Sequence, residues 1–122
     1  MQDNLSYEHE LKKILIYMGI TPNYRGYEYI LFAMKLIFKK PVYLRSVTKE
    51  LYPEIAKECL TDWRAVEHGI RIAIVRSWDE DPQKFQKILP ARMKYRPSTG
   101  KFLALLYAYL ILIKRGETNE DS

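Results

Sequence analysis

The chain has 122 residues, 48% hydrophobic and 29% charged, and its 20 Lys and Arg against 15 Asp and Glu give a net charge of +5. That is the length of one domain, with enough apolar residues to bury a core without disulfides or metal. Collagen-like, disordered and disulfide-stapled classes are excluded.

The single cysteine, Cys59, cannot form an internal bridge, which fits a reducing cytosol, although a disulfide-free secreted protein would look the same. Residues 1–6 are polar, and Glu8, Glu10, Lys12 and Lys13 interrupt the apolar residues that follow, so no signal peptide is expected. The longest apolar run, Phe102 to Ile113, is twelve residues, and a spanning helix needs roughly twenty. It reads as a buried helix, and no membrane partner is expected.

The elements predicted in chain order are all helical, because apolar spacing between the glycines and prolines follows a helical rather than an alternating period. Ser6 is the expected cap of a first helix whose Leu11, Ile14, Leu15 and Met18 form one stripe, with Gly19 as its stop. A second helix, from about Gly26 to Lys39, is apolar nearly all round, as a central helix would be, and Pro41 ends it. Ser46 opens a third segment with Val47, Leu51 and Ile55 on one face, which Pro53 should kink or split. Thr61 is the expected N-cap of a fourth helix running to about Trp78. Pro82 to Leu89 reads as a short fifth helix, its start signalled by the acidic run Asp79-Glu80-Asp81. Ser98 or Thr99 caps a sixth, from about Lys101 to Lys114.

The fold class is therefore all-α: a compact six-helix domain over residues 1–115, followed by a disordered acidic tail over 116–122. Setting aside the tail's three acids, the body carries 20 basic against 12 acidic residues, a net +8.

The third and fourth helices have the spacing of a helix-turn-helix: a small residue, Ala56, in the first, a three-residue turn, and an apolar Val66 ten positions on. At 100° per residue, Val66, Ile70, Ala73 and Ser77 share one face, flanked by Trp63 and Ile74, and Arg64, Glu67, His68 and Arg71 fall opposite. Those four can read bases: Arg donates two hydrogen bonds to guanine, Glu accepts from the cytosine amino group, and His does either. By spacing alone the stripe reads equally well as a solvated helix face with one ion pair.

The segments SVTKELYPEIAKECL and VEHGIRIAIVRSW, with GI-P--RGYEYILFAM upstream and RPSTGKFLALLY downstream, resemble the C-terminal DNA-binding domain of the stage 0 sporulation protein A family, the response regulators of endospore initiation. The resemblance spans about Leu11 to Ile113. It implies six helices with a helix-turn-helix at the third and fourth, head-to-tail homodimers on repeated DNA boxes, and Glu67, His68 and Arg71 at the base-contacting positions. This chain departs from the family's pattern at His68, where the family has Arg, and at Ile72, where it has His. Family members also carry an N-terminal receiver with a phosphorylated aspartate, and no segment here matches one.

Between Lys84 and Lys101 lie six bases and no acid, a run suited to gripping phosphate and fixing docking register. Thr61, Arg92, Lys94 and Arg96 are the expected phosphate contacts. The apolar sixth helix reads as core, with a dimer contact as the other reading. Most tyrosines are expected in core and rim packing rather than on a base-stacking platform.

No catalytic residue, metal site or cofactor is expected: His9 and His68 are the sole histidines, no Cys/His cluster has zinc spacing, and no glycine-rich phosphate loop occurs. Cys59 reads as a small apolar residue. The expectation is a cytoplasmic, nucleoid-associated bacterial protein that binds double-stranded DNA and regulates transcription without a receiver. A rival reading keeps the fold as an interaction module that pairs with or antagonises a full-length regulator without reading DNA itself.

Overall fold

A computed structural model describes the backbone of residues 2–121 and the side chains of residues 7–113. The helices are α1 (Gln2–Met18), α2 (Arg25–Lys39), α3 (Tyr52–Glu58), α4 (Trp63–Glu80), α5 (Pro82–Gln86) and α6 (Thr99–Asp121), and no strand occurs among the described residues. The all-α, six-helix architecture is the one expected.

The stripe on α1 is buried as predicted, and Gly19 ends that helix at φ +100°. The Gly19 amide donates to the Ile16 carbonyl and the Ile20 amide to that of Leu15, which tucks Ile20 into the core. The start of α1 differs from expectation. The helix begins at Gln2, so Ser6 lies inside it rather than capping it, because the polar residues ahead of Ser6 include no helix breaker.

Helix α2 is the centre of the bundle. Tyr29, Ile30, Ala33, Met34 and Ile37 are buried against the other helices. Tyr7 of α1 stacks on Phe38 of α2 at 4.1 Å between ring centroids, and Tyr107 of α6 meets the same ring edge-on at 5.0 Å.

After α2, a 3-10 turn over Pro41–Arg45, absent from the sequence reading, leads to a π-helical turn over Val47–Leu51. The segment is split as expected, with Pro53 in the first turn of α3, where a missing N–H breaks no helical bond.

Helix α5 ends at Gln86, short of the predicted Leu89. Asp81 caps it, its side chain accepting from the Lys84 amide at 3.0 Å, so the acidic run is a helix start. Phe85 joins α5 to Trp78 of α4 and Phe102 of α6, with centroids 5.5 and 5.4 Å away. Helix α6 is capped by Ser98, whose hydroxyl accepts from the Lys101 amide at 3.2 Å. It buries Phe102, Leu103, Leu106 and Leu110 in the core, as the core reading expects. Its helical backbone continues to Asp121 rather than stopping at Lys114, and the side chains of the acidic tail lie outside the described residues.

Helices α2 and α4 cross at two glycines. A Cβ on Gly26 would sit 2.4 Å from the Gly69 carbonyl oxygen and 3.1 Å from the Ala73 Cβ, and one on Gly69 would meet the Tyr29 ring at 2.8 Å. Neither helix backbone can yield without repacking the core around it. Gly26→Ala is expected to lower stability by about 1–3 kcal/mol, the usual range for overpacking, read as a fall in the urea midpoint at unchanged m.

Candidate nucleic-acid interface

The turn between α3 and α4 is fixed by backbone chemistry. The Thr61 amide donates to the Ala56 carbonyl at 2.9 Å and the Leu60 amide to that of Lys57 at 3.4 Å, with Leu60 at φ +55°. This is a Schellman closure with leucine where glycine is usual. Thr61 ends α3 and, contrary to expectation, is not the N-cap of α4. Asp62 holds that place, extended at φ −110°, ψ 167°, its carboxylate accepting from the Ala65 amide at 2.9 Å.

Once α4 starts there, its faces follow. Val66, Ile70, Ala73, Ile74 and Ser77 are buried, and the Ser77 hydroxyl, which could not stay unpaired in the core, donates to the Ala73 carbonyl at 2.8 Å. Arg64, His68 and Arg71 are exposed and Glu67 half-buried on the outer side, as the periodicity predicts.

Three of these four side chains form one connected group. Arg71 Nε donates to Glu67 Oε2 at 3.1 Å, and Arg71 Nη2 donates to His68 Nδ1 at 3.3 Å. Arg64 stands apart, its guanidinium over the Trp63 ring at 5.0 Å. The indole, 37% exposed, offers its face to that cation.

Glu67 also reaches inward electrostatically. Burial pushes the Tyr52 hydroxyl up to about 12, with a hydrogen bond to Thr99 opposing and the Glu67 carboxylate adding to the rise. The first turn of α6 is thereby tied to α3, on the side of Glu67.

The basic segment runs from α5 to α6. At one end, Arg92 and Lys94 lie in shallow clefts with Gln83 of α5. Lys84 and Lys87 share the Arg92 cleft, and the Lys84 ammonium sits 5.3 Å over the Tyr17 ring. At the other end, Arg96 is exposed, next to buried Pro97 and three residues before Thr99. The four expected phosphate contacts therefore fall in three places: Thr61 half-buried in the turn, Arg92 and Lys94 beside α5, and Arg96 at the entry to α6.

The sequence reading missed Gln86. Its side chain is buried, with Nε2 donating to the Pro82 carbonyl at 3.2 Å and Oε1 accepting from the Met93 amide at 2.6 Å, so it holds the basic segment against α5. A polar residue one position after a core Phe was the available signal. Cys59 is partly buried, and its thiol is pushed up by burial, with the Glu28 and Glu58 carboxylates adding to it, which leaves it little thiolate character. Among the described residues no helix is long and apolar enough to cross a membrane.

A family model described as the sporulation initiation factor Spo0A C terminal matches residues 11–110. The chain belongs to that family. It is a family of DNA-binding effector domains of sporulation regulators, not of enzymes. The helix-turn-helix and the outer face of α4 lie within the matched span, as do both glycines of the α2 and α4 crossing.

Leu60 is 93% exposed in a left-handed conformation, which disfavours a branched side chain without any packing in return. Leu60→Asn is expected to raise stability by roughly 0.5–1 kcal/mol, since Asn tolerates this region. Thermal unfolding followed by circular dichroism checks it, and an unchanged or lower Tm counts against this account of the turn.

Proposed function

We propose that this protein is a sequence-specific double-stranded DNA-binding regulator of transcription that lays α4 in the major groove. The observation that carries this reading is the outer face of α4. In a helix-turn-helix of a DNA-binding family, Arg64, Glu67, His68 and Arg71 stand clear of the core within two turns, about the reach of a recognition helix.

In this reading Arg64, Glu67, His68 and Arg71 address base edges, and Thr61, Arg92, Lys94 and Arg96 address phosphates. The division has a physical basis. A helix clamped by a buried face positions side chains to the tolerance that base hydrogen bonds need, whereas a phosphate is served by any cation or amide in range. The net +5 charge draws the protein to DNA irrespective of sequence. Such a regulator acts at the bacterial nucleoid, and the chemistry requires neither cofactor nor catalytic group.

The test is fluorescence anisotropy on a duplex selected from a random pool and on a scrambled control. With three or four phosphate contacts, affinity should fall roughly 100-fold between about 50 and 200 mM salt. Arg71→Ala should cost about 1–3 kcal/mol on the selected duplex and relax preference at one base pair. Arg96→Ala should weaken both duplexes equally and lower the salt slope by about one. Failure to select any duplex, or an affinity indifferent to salt, overturns the proposal.

A further inference from the structure

The contact between Arg71 and His68 fixes more than position. A guanidinium has five N–H donors and no acceptor, so where Arg71 Nη2 meets His68 Nδ1 at 3.3 Å the imidazole must offer its lone pair there. Arg71 is itself anchored by Nε on Glu67 Oε2 at 3.1 Å, so the guanidinium is held on the face from which it meets the ring. With Nδ1 accepting, the ring N–H sits on Nε2, on the far side of the ring from Arg71, in an exposed side chain. His68 has one group left for a partner outside the protein, and that group is a donor.

A lone donor discriminates differently from an arginine fork. It cannot pair with the amino groups of cytosine or adenine, which are themselves donors. The acceptors open to it in the major groove are purine N7, guanine O6 and thymine O4, and of these N7 alone lies at the outer edge, where pyrimidines carry C5 with its hydrogen or methyl. Guanine's second acceptor, O6, is what a bidentate guanidinium uses to tell guanine from adenine, and a single N–H has no second bond to make that distinction.

We propose that His68 reads a purine N7 through its single Nε2–H donor and so accepts either guanine or adenine at its base pair. This rests on the DNA-binding reading of α4 and adds the specificity of one position. Within the same group, Arg71 keeps its Nη1 edge for a base, and Glu67 keeps Oε1 as an acceptor. A strict position, read by Arg71, and a purine-tolerant one, read by His68, then lie side by side in the DNA box.

The experiment is parallel selection from random duplexes with the wild-type chain, His68→Arg and His68→Ala. Affinities are then measured on the selected box carrying 7-deazaguanine or 7-deazaadenine at the position that responds to residue 68. The wild type should return guanine and adenine there at comparable frequency. His68→Arg should narrow it to guanine by at least roughly 5-fold. His68→Ala should let all four bases in while the rest of the box stays as it was. Replacing N7 by carbon should weaken the wild type roughly 3- to 10-fold and leave His68→Ala unaffected. Far-ultraviolet circular dichroism on each variant checks that this exposed substitution leaves the fold intact. A wild-type box with guanine alone or a pyrimidine at that position, or indifference to 7-deaza substitution, overturns the assignment and leaves the DNA-binding reading standing. Failure to select any box overturns both.

Discussion

Gly26 in α2 lies so near the backbone of Gly69 in α4 that a Cβ would come within 2.4 Å of its carbonyl oxygen, and most of what the molecule presents to solvent follows from that approach. Helix side chains recur every 3.6 residues. With Gly69 against α2 and Val66, Ile70 and Ala73 in the core, the rotation of α4 about its axis is settled. Arg64, Glu67, His68 and Arg71 have no option but the opposite side. The Tyr29 ring lies where a Gly69 Cβ would go, so a glycine that costs about 1 kcal/mol of helix propensity is offset by an aromatic ring packed over it. Rotation alone does not place a recognition helix. Its starting point is set by the Leu60 closure of α3 and the Asp62 cap, two residues separated by Thr61 alone that end one helix and begin the next.

Much of this was legible in the sequence. The stripes on α1 and α4, the stop at Gly19, the break at Pro53, a short turn before α4 (four residues, 59–62, rather than the three expected) and the exposed quartet all follow from period and punctuation, which are local properties. The misses share a different cause. Gly26 and Gly69 look like ordinary weak points in a helical pattern, because a close crossing is a property of two segments forty-three positions apart. Thr61 and Asp62 are both good caps in isolation. Which one serves is decided by where the Schellman turn leaves the chain, with Asp62 extended one residue before α4 and its carboxylate on the Ala65 amide. The 3-10 turn at Pro41–Arg45 carries no buried residue, so it leaves no apolar periodicity to detect. Gln86 reads as a solvated side chain until its two partners, Pro82 and Met93, are seen to converge on it.

The candidate site was legible to a similar depth. Which residues face outward was predictable from angle, but how they engage one another was not. Arg71 could have paired with Glu67 alone, the usual i to i+4 contact, worth a few tenths of a kcal/mol on an exposed helix. Its second bond to His68 converts that minor ion pair into a device for fixing a tautomer, a consequence for recognition rather than stability. Arg64 illustrates the converse. Angle places it with the quartet, yet the neighbouring indole competes for its cation, so its engagement with a base would first require leaving that ring.

Charge is distributed with a matching logic. In the connected group on α4 the Glu67 carboxylate offsets the Arg71 guanidinium at 3.1 Å, so the pair contributes little net attraction to a polyanion. The excess positive charge sits elsewhere, on a segment with six bases and no acid between Lys84 and Lys101. That segment is tied by Gln86 at one end and, through Thr99 and Tyr52, at the other. On the proposed reading, attraction and discrimination therefore reside on different parts of the chain. A substitution in the basic segment changes how long the protein stays on any duplex, and one in the α4 group changes which duplex it prefers. The two parts meet through Tyr52, which bonds Thr99 and feels the Glu67 carboxylate, so substitutions far from that tyrosine, such as at Lys94 and His68, are the ones whose effects on binding free energy should add.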